Sequence, residues 1–173
     1  MIVRRERPAD SAAVDAVHRA AFPTAAEARL VGELREDAGF LPHLSLVAVD
    51  GSEVVGHVIA TRGRVEPGDA GALGLGPLGV RPDRQRSGVG TVLVHALLAV
   101  AEAAGERLVV LLGDPAWYRR SGFVAASEVG VQPPDPAWGG HFQARWLVAQ
   151  RSAGTFRYAE PFSRLSAGGP AAS

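Results

Sequence analysis

Apolar positions recur along this chain with two periods, and the change of period marks its elements. Val89, Val92, Leu93, Ala96, Leu97, Val100, Ala101 and Ala104 fall at i, i+3, i+4 and i+7 spacing, the signature of a helix with one buried face. Gly105 closes that stripe. Leu108–Leu112 (LVVLL) is apolar at every position, as in a strand covered on both faces. A third apolar run, Leu73–Val80 (LGLGPLGV), precedes the helix and is stopped by Arg81-Pro82. Strand, helix, strand in that order predicts a right-handed βαβ crossover with parallel strands.

The flanking segments predict further elements. Ile2–Arg5 is a strand ended by Pro8. Asp10 is placed to cap a helix running to about Ala21, with Val14, Val17 and Ala21 on one face. Thr24-Ala-Ala-Glu27 matches a capping box, after which Leu30, Val31, Leu34 and Ala38 line one face and Gly39 stands at the C′ position. Leu46–Asp50 and Val54–Ile59, joined at Asp50-Gly51, predict a hairpin. Arg62–Gly71 (RGRVEPGDAG) is polar enough to predict a loop. Asp114-Pro115 opens a short helix that ends near Ser121-Gly122, and a strand begins at Phe123. Gln132–Gly140 is a proline- and glycine-rich loop, and His141–Ala149 alternates, with Phe142, Ala144, Trp146 and Val148 on one face. The expectation is one α/β domain over 1–165, with a core of 2–149, an ordered extension of 150–165 and a disordered tail from 166 to 173.

Composition narrows the function classes. The 18 Lys and Arg are balanced by 18 Asp and Glu, so the basic surplus of a nucleic-acid binder is missing. The absence of cysteine excludes disulfides, thiolate catalysis and zinc–thiolate sites. There is no H-E-x-x-H and no G-x-S-x-G, and the histidines set no ligand spacing, so no metal is expected. No apolar run reaches the ~18 residues of a membrane helix. The opening MIVRRERPAD carries no secretory apolar region. These features predict a cytoplasmic protein without nucleic-acid or membrane partners.

The remaining signal is glycine. Gly74-Leu-Gly76-Pro-Leu-Gly79 matches G-x-G-x-x-G literally, but its glycines lie inside a strand pattern and no helix opens there, so the dinucleotide reading fails. Gln85-Arg86-Ser87-Gly88-Val89-Gly90-Thr91 has the right context: a strand, a polar turn, then the longest amphipathic helix. Glycine in a helix costs about 1 kcal/mol relative to alanine. Taken alone, the two glycines fit either an ordinary tight turn entering a helix or a turn that leaves the unpaired amides of a helix N-terminus open to an anion.

Q/R-x-x-G-x-G/A after a strand resembles the pyrophosphate-binding motif of the GCN5-related N-acetyltransferase (GNAT) family. Leu75–Val80 with Arg81-Pro82 resembles that family's fourth strand and its exit, and Leu108–Leu112 the fifth. Tyr118-Arg-Arg-Ser-Gly122-Phe123 resembles its Y-x-x-x-G-F signature, and Leu112–Tyr118 a YhbS-like subgroup. The resemblance covers Ile2 to Ala149. It implies a mixed, twisted central sheet flanked by helices, with parallel strands 4 and 5 splayed apart. It also implies acetyl-CoA as co-substrate, with the pantetheine arm on the backbone of Leu78, Gly79 and Val80 and the diphosphate on Gln85, Arg86, Ser87, Gly88, Val89, Gly90 and Thr91. Arg84 or Arg86 would add charge-assisted bonds. Asp114, where many members carry Asn, would cap its helix and lie near the cofactor.

The implied chemistry is direct attack of a small-molecule primary amine on the thioester. Tyr118, four residues before Gly122, stands at the family's acid position and would protonate the departing thiolate. Leu73–Val80 contains no carboxylate, so the base is open among Glu66, Asp69, Glu33, His57 and His141. The acceptor would lie over the first helix pair, the 62–71 loop and the C-terminal strands, with Trp117, Trp138 and Phe142 as an apolar wall. Homodimers are common in the family. Acetylation of a protein lysine or N-terminus, and a non-catalytic acyl-CoA-binding module, are the alternative readings.

Overall fold

The periods of the sequence become strands and helices wherever a partner surface receives the apolar face. The computed structural model describes residues 1–165; the 166–173 tail lies outside the described residues. In chain order the elements are β1 (Ile2–Arg5), α1 (Ser11–Ala21), α2 (Ala26–Glu36), β2 (Phe40–Asp50), β3 (Glu53–Glu66) and β4 (Asp69–Val80). Then come α3 (Val89–Ala103), β5 (Leu108–Leu112), α4 (Pro115–Tyr118), β6 (Val124–Ala125) and β7 (Val131–Gln132). β8 (Phe142–Trp146), β9 (Gly154–Arg157) and α5 (Phe162–Leu165) complete the series.

The sheet runs β1-β2-β3-β4-β5-β8-β6, with β9 bonded to β3 and β7. β4 and β5 are parallel, joined by α3 as the crossover. β1 to β4 pair antiparallel, as do β5 with β8 and β8 with β6, so the sheet is mixed. α3 buries Val89, Leu93, Val94, Leu97, Leu98 and Ala101 against one face, on Leu46, Val58, Leu73 and Leu75. α1 and α2 bury Val14, Leu30, Val31 and Leu34 against the other, on Val47 and Ile59.

Several local expectations give way to tertiary partners. Arg62–Gly71 is a hairpin tip instead of a loop: β3 continues to Glu66, Pro67 and Gly68 turn, and β4 starts at Asp69. β9 supplies the reason, because it pairs with Arg64–Glu66 beyond the point where β2 leaves β3. Its Phe156 is buried in one cluster with Val65. A Cβ on Gly63 would overlap the Phe156 ring. Gly63→Ala should therefore destabilise the fold by about 1–3 kcal/mol through overpacking; urea unfolding that leaves the midpoint unchanged would show that β9 does not depend on this contact.

The Thr24–Glu27 capping box does not form. Thr24 Oγ1 accepts from Ala26 N at 3.2 Å, but the Glu27 carboxylate is turned inward with Leu30, Val31 and Leu34. Asp10 does not cap α1 with its side chain; it takes a bidentate ion pair from Arg4 at 2.7 and 2.9 Å. α2 stops at Glu36, and Gly39 is not left-handed; its amide bonds to Asp37 Oδ1. β8 ends at Trp146, leaving Val148 exposed.

Candidate active site

β4 and β5 pair at Ala72–Leu108, Leu73–Val109 and Gly74–Val110 and no further. β4 then runs on to Val80 and β5 to Leu112. Beyond Gly74 their facing edges carry backbone N–H and C=O groups without a partner strand, and such an edge accepts an extended ligand as it would another strand. The physical cause is in β4 itself. Gly76 takes φ +140°, and Gly76 and Pro77 together stand opposite one β3 residue, Ile59, as a bulge. Leu78, Gly79 and Val80 resume pairing with Val58, His57 and Gly56 of β3, which leaves their other edge to the gap.

The chain leaves β4 into a turn whose amides are left open. Among the described residues, the backbone N–H groups from Arg86 to Thr91 have no acceptor; the first bond of α3 is Val92 N to Gly88 O at 3.0 Å. Gly88 is left-handed at φ +91°, and Arg86 is the one described non-glycine residue with positive φ, at 59°. Left-handed residues alternating in a turn gather successive N–H groups into an anion-binding concavity, here at a helix N-terminus. Gln85 Nε2 donates to Val80 O at 3.1 Å and Ser87 Oγ to Arg84 O at 2.6 Å, so side chains brace the turn while its amides stay open. Arg84 is drawn away to Asp50 at 2.6 Å, leaving Arg86 as the exposed cation of the turn. Gly90 packs under Trp117, where a Cβ would come within 3.3 Å of the indole.

Tyr118 stands at the end of α4. Asp114 caps that helix, its Oδ1 accepting from Ala116 N at 2.9 Å. The Tyr118 ring lies on Gly113, where a Cβ would overlap it, and meets Trp117 and Phe123 edge-on with centroids 4.5 and 5.8 Å away. Its hydroxyl has no hydrogen-bond partner among the described residues, and burial pushes its pKa up to about 12. The group is therefore a protonated donor across the neutral range.

On the sheet face under α1 and α2 lies a polar chain that sequence reasoning missed. His18 of α1 is buried on β4, with its Nδ1 edge over Gly79: a Cβ there would come 2.8 Å from Nδ1. His18 Nε2 and His57 Nδ1 are 2.8 Å apart, and His57 Nε2 is 2.9 Å from Ser45 Oγ. Ser45 Oγ donates a short hydrogen bond to Glu6 Oε2, and Arg35 Nη2 donates to Glu6 Oε1 at 2.5 Å. Burial tends to raise the Glu6 pKa, but hydrogen bonds from His57, Ser45 and Arg35 outweigh it and hold the carboxyl at about 2. Burial, with the repulsion of His57 and Arg35, lowers His18 to about 3, so His18 is neutral at neutral pH, and burial lowers His57 against the opposing pull of Glu6.

The same side of the sheet encloses other polar atoms that lack a partner. They include Glu27 Oε2, Thr61 Oγ1 and the Tyr158 hydroxyl, besides His18 Nδ1. Thr61 pairs with Gly74, and Tyr158 covers Gly74 so closely that a Cβ would come 2.7 Å from its ring. Burial, with Tyr118 nearby, pushes the Tyr158 pKa well above the ordinary phenol range. The signal for His18 was present in the sequence as a histidine on the apolar face of α1. Glu27 was hidden by the capping motif, and Tyr158 lay beyond the segment that carried motifs.

The other candidates separate. Glu66 is an exposed carboxylate paired with Arg64 and Arg157, and Glu33 is paired with Arg164. His141 Nδ1 lies 3.3 Å from Gly113 O, bracing the turn under Tyr118. Asp69 opens β4, and its side chain lies outside what is described. His57 is enclosed in the polar chain. The anticipated apolar wall divides: Trp138 and Phe142 cluster with Tyr158, whereas Trp117 packs with the α3 side of the core. Among the described residues no group of His, Asp and Glu is arranged to hold a metal, and no helix is long and apolar enough to cross a membrane.

Known proteins share this fold. A model of the acetyltransferase (GNAT) family matches residues 12–123. YhbS of Escherichia coli strain K12, an uncharacterized N-acetyltransferase, is 36% identical over 169 residues, which cover 95% of this chain and 100% of YhbS. The crystal structure of YhbS in complex with CoA superposes with a TM-score of 0.87 at 34% identity, over 94% of this chain and 92% of that one. A GNAT acetyltransferase from Brucella melitensis in complex with acetyl-CoA superposes at 0.78 with 32% identity, over 93% and 97% of the two chains. The family match and the identity to YhbS over nearly the whole chain agree with the fold, and the chain belongs to the GNAT family of acetyltransferases.

Proposed function

We propose that this chain transfers the acetyl group of acetyl-CoA to a primary amine of a small molecule. The observation that carries the reading is the run of open amides from Arg86 to Thr91, at the mouth of the unpaired β4–β5 edge. That run suits a diphosphate, and the edge suits an amide-bearing arm lying along Leu78, Gly79 and Val80. Bound there, acetyl-CoA supplies an activated acyl group on a thiol leaving group. An N–H of the Leu78–Val80 segment then polarises the acyl oxygen. As the amine nitrogen bonds to the acyl carbon and the C–S bond breaks, Tyr118 gives its proton to the departing sulfur and regains one through solvent from the proton that the new amide nitrogen sheds. Asp114 and Gly113 hold Tyr118 in place through the cap and the close ring contact.

A small acceptor is favoured over a protein chain by the enclosure of the far side. His18, Glu27, Thr61 and Tyr158 present polar atoms that are shut in by α1, α2 and the β9–α5 segment. A buried polar atom without a partner costs about 1–3 kcal/mol, and a small polar amine that bonded to one of them would offset that cost. The test is calorimetric titration with acetyl-CoA, then release of free CoA over a panel of amines and peptides. Turnover of peptides alone would replace the small-molecule reading with a protein-directed one. Binding with no turnover of any acceptor would replace it with a binding module.

Gly88 offers a separate check on the diphosphate site. It is left-handed with open space around it, so a side chain would be strained and would stand over the amides. Gly88→Val should weaken acetyl-CoA binding by about tenfold or more, since a β-branched residue at such φ costs about 1–3 kcal/mol. Unchanged calorimetric affinity would move the diphosphate elsewhere.

A further inference from the structure

The polar chain behind β4 has a direction, and it follows from donor and acceptor counting. Glu6, held ionised by Arg35, can only accept. Ser45 Oγ gives its proton to Glu6, so it accepts from His57 Nε2–H at 2.9 Å. His57 Nδ1 then carries a lone pair and accepts from His18 Nε2–H at 2.8 Å. His18 Nδ1 is left as a bare lone pair, fully enclosed and without a donor. Its edge lies over Gly79, in the stretch of β4 that borders the gap. The groups that face this ring from the neighbouring elements are His57 of β3, Glu6 after β1, Arg35 of α2 and, stacked at 5.9 Å, Phe22.

We propose that His18 Nδ1 is the docking point for an N–H of the acceptor amine, and that His57, Ser45 and Glu6 hold it as a fixed hydrogen-bond acceptor. The inference rests on the acetyltransferase reading above. In it, the acceptor nitrogen presents a hydrogen to a neutral imidazole while its own lone pair faces the acyl carbon. His18 touches the substrate in this scheme, whereas His57, Ser45 and Glu6 are positioning residues that act through it.

The unsubstituted protein gives the first test. With ¹⁵N-labelled histidine, long-range proton–nitrogen spectra should show His18 and His57 both neutral with the proton on Nε2. In CoA-saturated protein, addition of an accepted amine should shift His18 Nδ1. A proton on His18 Nδ1, or an imidazolium at neutral pH, overturns the proposal. Kinetics give the second. A folded His18→Leu variant should lose about tenfold or more in amine kcat/KM, the value of one hydrogen bond, with acetyl-CoA Kd unchanged. Glu6→Gln should lower amine kcat/KM in the unsubstituted background and add nothing in the His18→Leu background. Unchanged amine kinetics in His18→Leu, or a loss of acetyl-CoA affinity in their place, overturns the proposal. If the unsubstituted protein binds acetyl-CoA and acetylates no amine, the acetyltransferase reading itself has failed, and the inference with it; that result is separable because it precedes any substitution.

Discussion

Tyr118→Phe should lower kcat by on the order of 10²-fold while leaving acetyl-CoA affinity and folding stability unchanged, the lower end of what a positioned general acid contributes. The substitution is unusually clean. The Tyr118 ring is held by Gly113, Trp117 and Phe123, and phenylalanine keeps each of those contacts. The hydroxyl bonds to no described residue, so its removal takes no hydrogen bond from the fold. A melting temperature close to that of the unsubstituted protein is therefore expected alongside the fall in kcat. The pH profile adds a second reading. With its pKa pushed up to about 12, Tyr118 stays protonated throughout the usual assay range, so its own ionisation should cause no decline in kcat below about pH 11. Stopped-time assays of released CoA thiol, with calorimetry for binding, measure both. Full kcat in the Phe variant would remove Tyr118 from the chemistry.

Acidification from pH 6.5 towards pH 3 should destabilise the protein through His18. His18 is lowered from 6.5 to about 3. Between those values the unfolded chain binds a proton at this residue and the folded chain does not, so stability rises with pH across the window and falls as pH drops through it. The contribution is complete above pH 6.5 and gone below about pH 3. At about 1.4 kcal/mol per pH unit for one proton, the whole window is worth on the order of 5 kcal/mol, against the ~5–15 kcal/mol of a typical domain. Glu6 acts in the same direction at lower pH: its depressed pKa stabilises the fold above 4.5, and that stabilisation is lost as pH falls towards 2. Urea unfolding between pH 8 and pH 5 measures the effect, and His18→Leu should flatten the slope. Stability that stays level over that range would mean His18 is protonated in the folded protein.

Both predictions concern side chains brought to β4 from different parts of the chain, and only one was legible in the sequence. Tyr118 was, because it belongs to a local motif whose neighbours Gly122 and Phe123 lie within one turn and one strand start. The amide turn was legible for the same reason: Gly88 and Gly90 act on the backbone they belong to. His18 was not, because its meaning comes from His57, Ser45 and Glu6, which lie on three other segments. The base candidates failed in a related way. Glu66 and Glu33 are polar residues whose arginine partners, Arg157 and Arg164, lie far along the chain and turn them into surface ion pairs.

Local chemistry also misled where a distant surface outbid it. Thr24 and Glu27 have the spacing of a reciprocal cap, but the buried side of α2 takes Glu27 inward. The 62–71 stretch has the composition of a loop, but β9 offers Arg64–Glu66 a ladder and covers Val65, and the strands extend to meet it.

What the sequence determined by itself lies within about one helix or one hairpin: the α3 stripe, the βαβ order and the glycine turn into α3. These follow from backbone geometry and short-range periodicity, which a chain carries wherever it folds. The tertiary structure alone decided how far β4 and β5 stay together, which polar atoms are shut in under α1 and α2, and which nitrogen of His18 is bare. Those are outcomes of burial and of hydrogen-bond counting among segments remote in sequence, and no local pattern encodes them.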